Sequence, residues 1–127
     1  MKTIHDHETN PANASIRVQA DEPNPDNGNA SHYYDIFDQN GGVLGSMKFQ
    51  YGPIDATDPN GKVIGVNGLT HEVLLAIIID RLRGFQTSKY ACRENALTLT
   101  KLEEALHWQL HRTRNRIARG VEGTHTV

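Results

Sequence analysis

Apolar positions change their rhythm about halfway along the chain. Residues 15–20 (SIRVQA) alternate polar and apolar, the period of a half-buried strand. Residues 32–38 (HYYDIFD) and 43–51 (VLGSMKFQY) flank Gln39-Asn40-Gly41-Gly42, and Asn-Gly between two strand-like runs predicts a β-hairpin. Asp58-Pro59-Asn60-Gly61 predicts a second turn, followed by a short strand over residues 62–66. Residues 21–31 (DEPNPDNGNAS) read as a loop and residues 1–13 as a loose terminus. The first half is then an antiparallel sheet of three to four strands, marginal by itself.

From residue 68 onward the period becomes helical. Thr70 can cap a helix with Glu72 in its first turn, running to about Phe85. Residues 73–79 (VLLAIII) are apolar nearly all round, which predicts burial on every side. A buried strand competes for those seven residues, but the cap and the Asp80-Arg81-Leu82-Arg83 continuation favour helix. Gly84 and a short link lead to a second helix, capped by Ser88 and stopped by Gly120. Its stripe is Leu99, Leu102, Leu106, Leu110 and Ile117. At 1.5 Å per residue the second helix is about 46 Å long and the first about 22 Å. A compact chain of this size is only about 36 Å across. Half of the second helix therefore needs cover from another subunit, and a two-fold dimer of interlocked hairpins is the simplest closed answer. The expected fold class is α+β: a small N-terminal antiparallel β region over residues 1–67, and a C-terminal antiparallel helical hairpin over residues 68–127 that dimerises.

Composition narrows the function classes. The chain has 127 residues and one cysteine, Cys92, so no internal disulfide can form. Its longest apolar stretch is far too short to span a membrane. It reads as a soluble intracellular protein. Net charge is −2, yet residues 1–60 carry nine acids against three bases and residues 61–127 six against ten. The second half can meet an anion.

Catalytic patterns are thin. His107 and His111 have metal-ligand spacing, but Trp108-Gln109-Leu110 between them lacks the glutamate of a helical zinc-protease motif. Glu103 and Glu104 are adjacent and point about 100° apart, so they are not a facing pair. Cys92 precedes Arg93 without an evident base. Arg112 and Arg116 are more informative. Four residues apart, they share a helix face, with Trp108 a turn before and Arg119 a turn after. Two guanidinium forks in register suit a diphosphate. A solvated basic helix end and a nucleic-acid-binding module remain open on these residues alone. Phe85 ends the first helix, and Asn95 is a polar residue where the leucine stripe begins. Such an Asn marks either a register device or a ligand contact.

Residues 93–97 (RENAL), 101–108 (KLEEALHW), 120–124 (GVEGT) and the preceding GKVIGVNGLTHEVLLAIIIDRLRGFQ resemble the helical-hairpin domain of bacteriophage signal sponges, shared by anti-Thoeris and anti-CBASS proteins. The chain is most similar to Thoeris anti-defence sponges of the first type. The resemblance implies a non-catalytic protein that sequesters a cyclic ADP-ribose isomer in the cytoplasm of the infected bacterial host. Some such sponges also bind CBASS cyclic oligonucleotides at separate sites on a larger assembly, and the resemblance leaves open whether this chain has a second site of that kind. Ligand contacts fall on Phe85, Asn95, Arg112 and Arg116. No metal, cofactor, membrane or nucleic-acid partner is expected. Self-association is expected as a homodimer or a higher assembly such as a hexamer. Asn95 and Arg112 lie about 26 Å apart on one straight helix, so one small ligand that meets both needs two protomers.

Overall fold

The computed structural model describes residues 1–121, 124, 126 and 127. The chain is α+β and forms two compact units, Met1–Gly52 with Val66–Gly68, and Pro53–Gly65 with Leu69–Val127.

The first unit is a four-stranded antiparallel meander in the order β1 (Lys2–Ile4), β2 (Arg17–Ala20), β3 (Tyr33–Phe37) and β4 (Val43–Lys48). The residues expected to form a loose terminus instead supply its edge strand. Ile4 pairs with Val18, and the Met1 ammonium reaches Glu22 Oε1 at 2.7 Å. Between β1 and β2 lies a one-turn helix, α1 (Pro11–Ala14), capped by Asn10. Register puts Ile4, Val18, Ala20, Tyr34, Ile36 and Met47 on one face, and of these only Ala20 is fully buried. The Asp21 carboxylate pins the entry to β3. Its Oδ1 accepts from the backbone N–H of His32 at 2.8 Å and of Tyr33 at 3.1 Å. The Tyr33 N–H, with help from His32, holds the Asp21 carboxyl below its ordinary pKa, against the opposing effect of desolvation.

The expected hairpin joins β3 to β4, by a different turn from the two-residue Asn-Gly type. Asp38 pairs with Gly42 through the backbone, and Gly41 takes the left-handed conformation at φ 84°. That makes a three-residue loop ending in a glycine bulge. Asp38 Oδ1 accepts from the N–H groups of Asn40 and Gly42. Asp58-Pro59-Asn60-Gly61-Lys62 is built the same way: Asp58 Oδ1 accepts from Asn60 and Lys62, and Gly61 has φ 79°. The strand expected over residues 62–66 is absent from the sheet. A single bridge, Thr57 to Val63, forms there, and Gly65 at φ 68° breaks the extended run.

The second unit carries two helices, α2 (His71–Gln86) and α3 (Arg93–Ala118). Thr70 caps α2 by accepting from the Val73 N–H. The second helix begins later than its composition predicted. Ser88 caps a turn: its Oγ donates to Phe85 O and accepts from the Tyr90 N–H. Cys92, at φ −150°, is the actual N-cap, its Sγ accepting from the Asn95 N–H at 3.4 Å. At the far end Gly120, at φ 72°, closes α3. Gly120 N–H donates to Ile117 O and Val121 N–H to Arg116 O, the paired bonds of a Schellman cap.

The two helices pack on each other. Arg83 reaches Glu103 at 3.1 Å, while Leu74 and Leu75 line a cleft with Ala105 and Trp108, so chain direction reverses across the link. Burial of α2 differs from its all-round apolar pattern. Among the described residues of the unit, Ile79 is the one fully buried apolar side chain. Val73, Ile77 and Ile78 stay 43%, 57% and 45% exposed in the single chain. The α3 stripe runs from half-buried Leu99, Leu102 and Leu106 to open Leu110 and Ile117.

Candidate functional site

The link between α2 and α3 gathers the first group of candidate residues. Gln86 holds it closed: Oε1 accepts from the Cys92 N–H at 3.1 Å, and Nε2 donates to Cys92 O at 3.2 Å. That two-way grip fixes the residue that caps α3, and with it the start of the helix carrying Asn95. Phe85, the residue before, is half-buried, with its ring edge-on to Tyr90 at 6.5 Å. The Arg81 guanidinium lies 5.0 Å from the Phe85 ring centroid, and Lys89 Nζ lies 5.3 Å from that of Tyr90. Arg81, Gly84, Phe85, Ser88 and Tyr90 line an open cleft of 310 Å³. Two aromatic faces with two cations suit a stacked base carrying a nearby negative charge.

Asn95 sits one helical turn into this end, half-buried, its side-chain amide making no hydrogen bond among the described residues. Phe85 and Asn95 thus lie at the same end of the helix pair. Arg112 and Arg116 do not join them. Both belong to the last turns of the continuous helix α3, Arg112 about 26 Å and Arg116 about 32 Å from Asn95 along its axis.

The two arginines differ from each other. Arg112 is exposed to solvent. Arg116 is only 8% exposed, and its guanidinium is already engaged. Nη1 donates to Thr126 O at 2.6 Å, and Nη2 donates to Val121 O at 3.0 Å and Thr124 O at 3.1 Å. One turn earlier, Trp108 is 58% exposed and meets His111 edge-on at 5.7 Å. His107 and His111 stack on each other with ring centroids 6.4 Å apart. Among the described residues, no cluster of three or more His, Cys, Asp or Glu side chains is placed to hold a metal ion. A second cleft, of 460 Å³, lies between the helices and is lined by His71, Leu74, Leu75, Ala105, Trp108 and Gln109.

Sequence reasoning missed Arg81, Gln86 and Tyr90. A signal existed for Arg81, which stands four residues before Phe85 and so shares its helix face. Gln86 and Tyr90 act through the geometry of the link, for which no periodic pattern exists.

The sequence model of the family described as Acb2/Tad1, hairpin domain, matches residues 45–114, more than half of the chain. The chain belongs to the Acb2/Tad1 hairpin-domain family. Within that match lie both helices up to Arg114, and with them Phe85, Asn95 and Arg112; Arg116 and the segment after it lie beyond. A relative named Thoeris anti-defense 1, from Bacillus phage SBSphiJ7, is 49% identical over 84 residues. The alignment spans 66% of this chain and 54% of that protein, so the chain covers about half of the relative's length.

Proposed function

We propose that this protein is a phage anti-defence sponge: it binds the cyclic ADP-ribose isomer that signals in bacterial Thoeris immunity, and holds it without degrading it. The observation that carries the reading is the 49% identity to a phage protein named Thoeris anti-defense 1. The geometry supports it. The Phe85–Tyr90 cleft with Arg81 has the chemistry for an adenine and its neighbouring charge. Arg112, exposed on α3, has the chemistry for phosphate. Base stacking on Phe85 contributes about 1–3 kcal/mol.

In this reading α2 and α3 form the hairpin of a dimer, and its partner covers Val73, Ile77, Ile78, Leu110 and Ile117. The partner runs antiparallel and brings its Arg112 and Arg116 to the Phe85–Asn95 end of the first protomer. Each dimer carries two equivalent sites. The protein acts in the cytoplasm of the infected host, and the wider family's CBASS cyclic oligonucleotides bind elsewhere on a larger assembly of such dimers.

The test is recovery of ligand. The protein is incubated with the nucleotide product of a Thoeris TIR-domain protein, then heat-denatured, and the supernatant is analysed. Intact signal, regained in the amount bound, is the expected result. Chemically altered signal would make the protein an enzyme, and signal never depleted before heating would remove the ligand from the account.

A further inference from the structure

The exposed face of α3 carries a pair of histidines that the sponge function does not use. His107 and His111 stand one helical turn apart, both exposed, with ring planes 19° from parallel and centroids 6.4 Å apart. They lie opposite the half-buried face of Leu102, Leu106, Gln109 and Thr113. Among the described residues, no hydrogen bond or ion pair occupies a nitrogen of either ring. His5, by contrast, is bonded to Glu8 Oε2 at 2.8 Å and His7 to the Ile16 carbonyl at 2.6 Å. Trp108 meets both rings of the pair edge-on, at 5.5 Å and 5.7 Å, and so limits their freedom. Glu104, three residues before His107, and Arg114, three after His111, share this face with opposite charges, so no net charge there repels a cation.

We propose that His107 and His111 form a two-imidazole chelate for a divalent transition metal of the zinc, nickel and copper class. Imidazole nitrogen is a good ligand for these ions, while magnesium and calcium take oxygen. Two bonds of about 2.0–2.1 Å let the donor nitrogens stand up to roughly 4 Å apart, and rotation of two exposed side chains with centroids 6.4 Å apart brings them there. Gathering the ligands costs little, because both stand on one continuous helix, Arg93–Ala118. No third His, Cys, Asp or Glu is placed with them among the described residues, so water completes the coordination. An ion held across this turn staples α3 directly ahead of Arg112. The chelate involves no nucleotide contact and is independent of the sponge function.

The test is calorimetric titration of the full chain with zinc chloride, without nucleotide, for wild type, His107→Gln, His111→Gln and the double variant. Wild type should take up one zinc ion per chain that the double variant does not. Each single variant should lose at least about ten- to a hundredfold in affinity, the range for disturbing even the outer shell of a metal site. The double variant should be no weaker than either single one, because either loss leaves one imidazole and ends the chelation. Zinc should also raise the thermal midpoint of wild type, and that rise should vanish in the double variant. Both side chains are exposed, so the substitutions leave the fold intact, which circular dichroism checks. Undiminished zinc affinity in the double variant would overturn the proposal by placing the ion elsewhere. Losses that add between the single variants would overturn it too, since they describe two independent imidazoles. So would absence of zinc uptake by wild type, or a thermal rise of equal size with magnesium.

Discussion

Single side chains set the local geometry here more than bulk burial does. Phe85 is the sharpest case, because its half-buried ring faces both Tyr90 and the Arg81 guanidinium. Phe85→Ala should reduce nucleotide affinity by about 1–3 kcal/mol while leaving the oligomer intact, read by calorimetry and sedimentation. A matching fall in melting temperature would assign the residue to packing, where such truncations cost about 3–5 kcal/mol. Gln86 holds the cap of α3 by two hydrogen bonds to the Cys92 backbone. Gln86→Ala should therefore destabilise the second unit by about 1–3 kcal/mol in a denaturant titration. Asp21 gives the first unit an acid-sensitive hold. Its folded carboxyl ionises below its ordinary value of 3.8, so its contribution is fully present above that pH and is lost as pH falls through the lower folded value. Asp21→Asn should flatten that part of an acid-unfolding curve followed by tyrosine circular dichroism.

At the scale of elements, the caps divide what the chain reveals from what it hides. Thr70 and Gly120 were legible because each sits where a helical period starts or stops, and both act as expected. Gly120→Ala should cost about 1–2 kcal/mol, since its φ of 72° penalises a Cβ, and should lower the thermal midpoint. Ser88 looked like an equally good cap, but its hydroxyl is drawn to Phe85 O and the Tyr90 N–H, so the helix waits for Cys92. The β1 strand was invisible: three residues carry no period, and they become a strand only because β2 offers its edge. Residues 62–66 show the converse, a short apolar run stopped by a left-handed glycine and tied back to residues 54–58 by turn hydrogen bonds and one bridge, Thr57 to Val63. At the site, Phe85, Asn95, Arg112 and Arg116 were readable as an aromatic, a polar break in a stripe and a basic face. The hydrogen bonds of Arg116 to the carbonyls of Val121, Thr124 and Thr126 were not, because single backbone carbonyls leave no periodic pattern in sequence.

At the scale of the molecule, the central claim is that the nucleotide site is shared by two chains. Phe85 and Asn95 stand at one end of the helix pair and Arg112 near the other end of α3, about 26 Å from Asn95, too far for one small ligand on one chain. Exposed Val73, Ile77, Ile78 and Ile117 leave apolar surface for a second chain to cover. A folded monomer at micromolar concentration in sedimentation would contradict that architecture. The most direct measurement mixes two lesions. Asn95→Ala and Arg112→Ala chains, differently tagged and co-folded, give heterodimers in which one site holds both lesions and the other holds neither. Calorimetry of the isolated heterodimer should show wild-type affinity at half the wild-type stoichiometry. If both residues met the ligand on one chain, each site would keep one lesion, and a trace without tight binding would contradict the shared site.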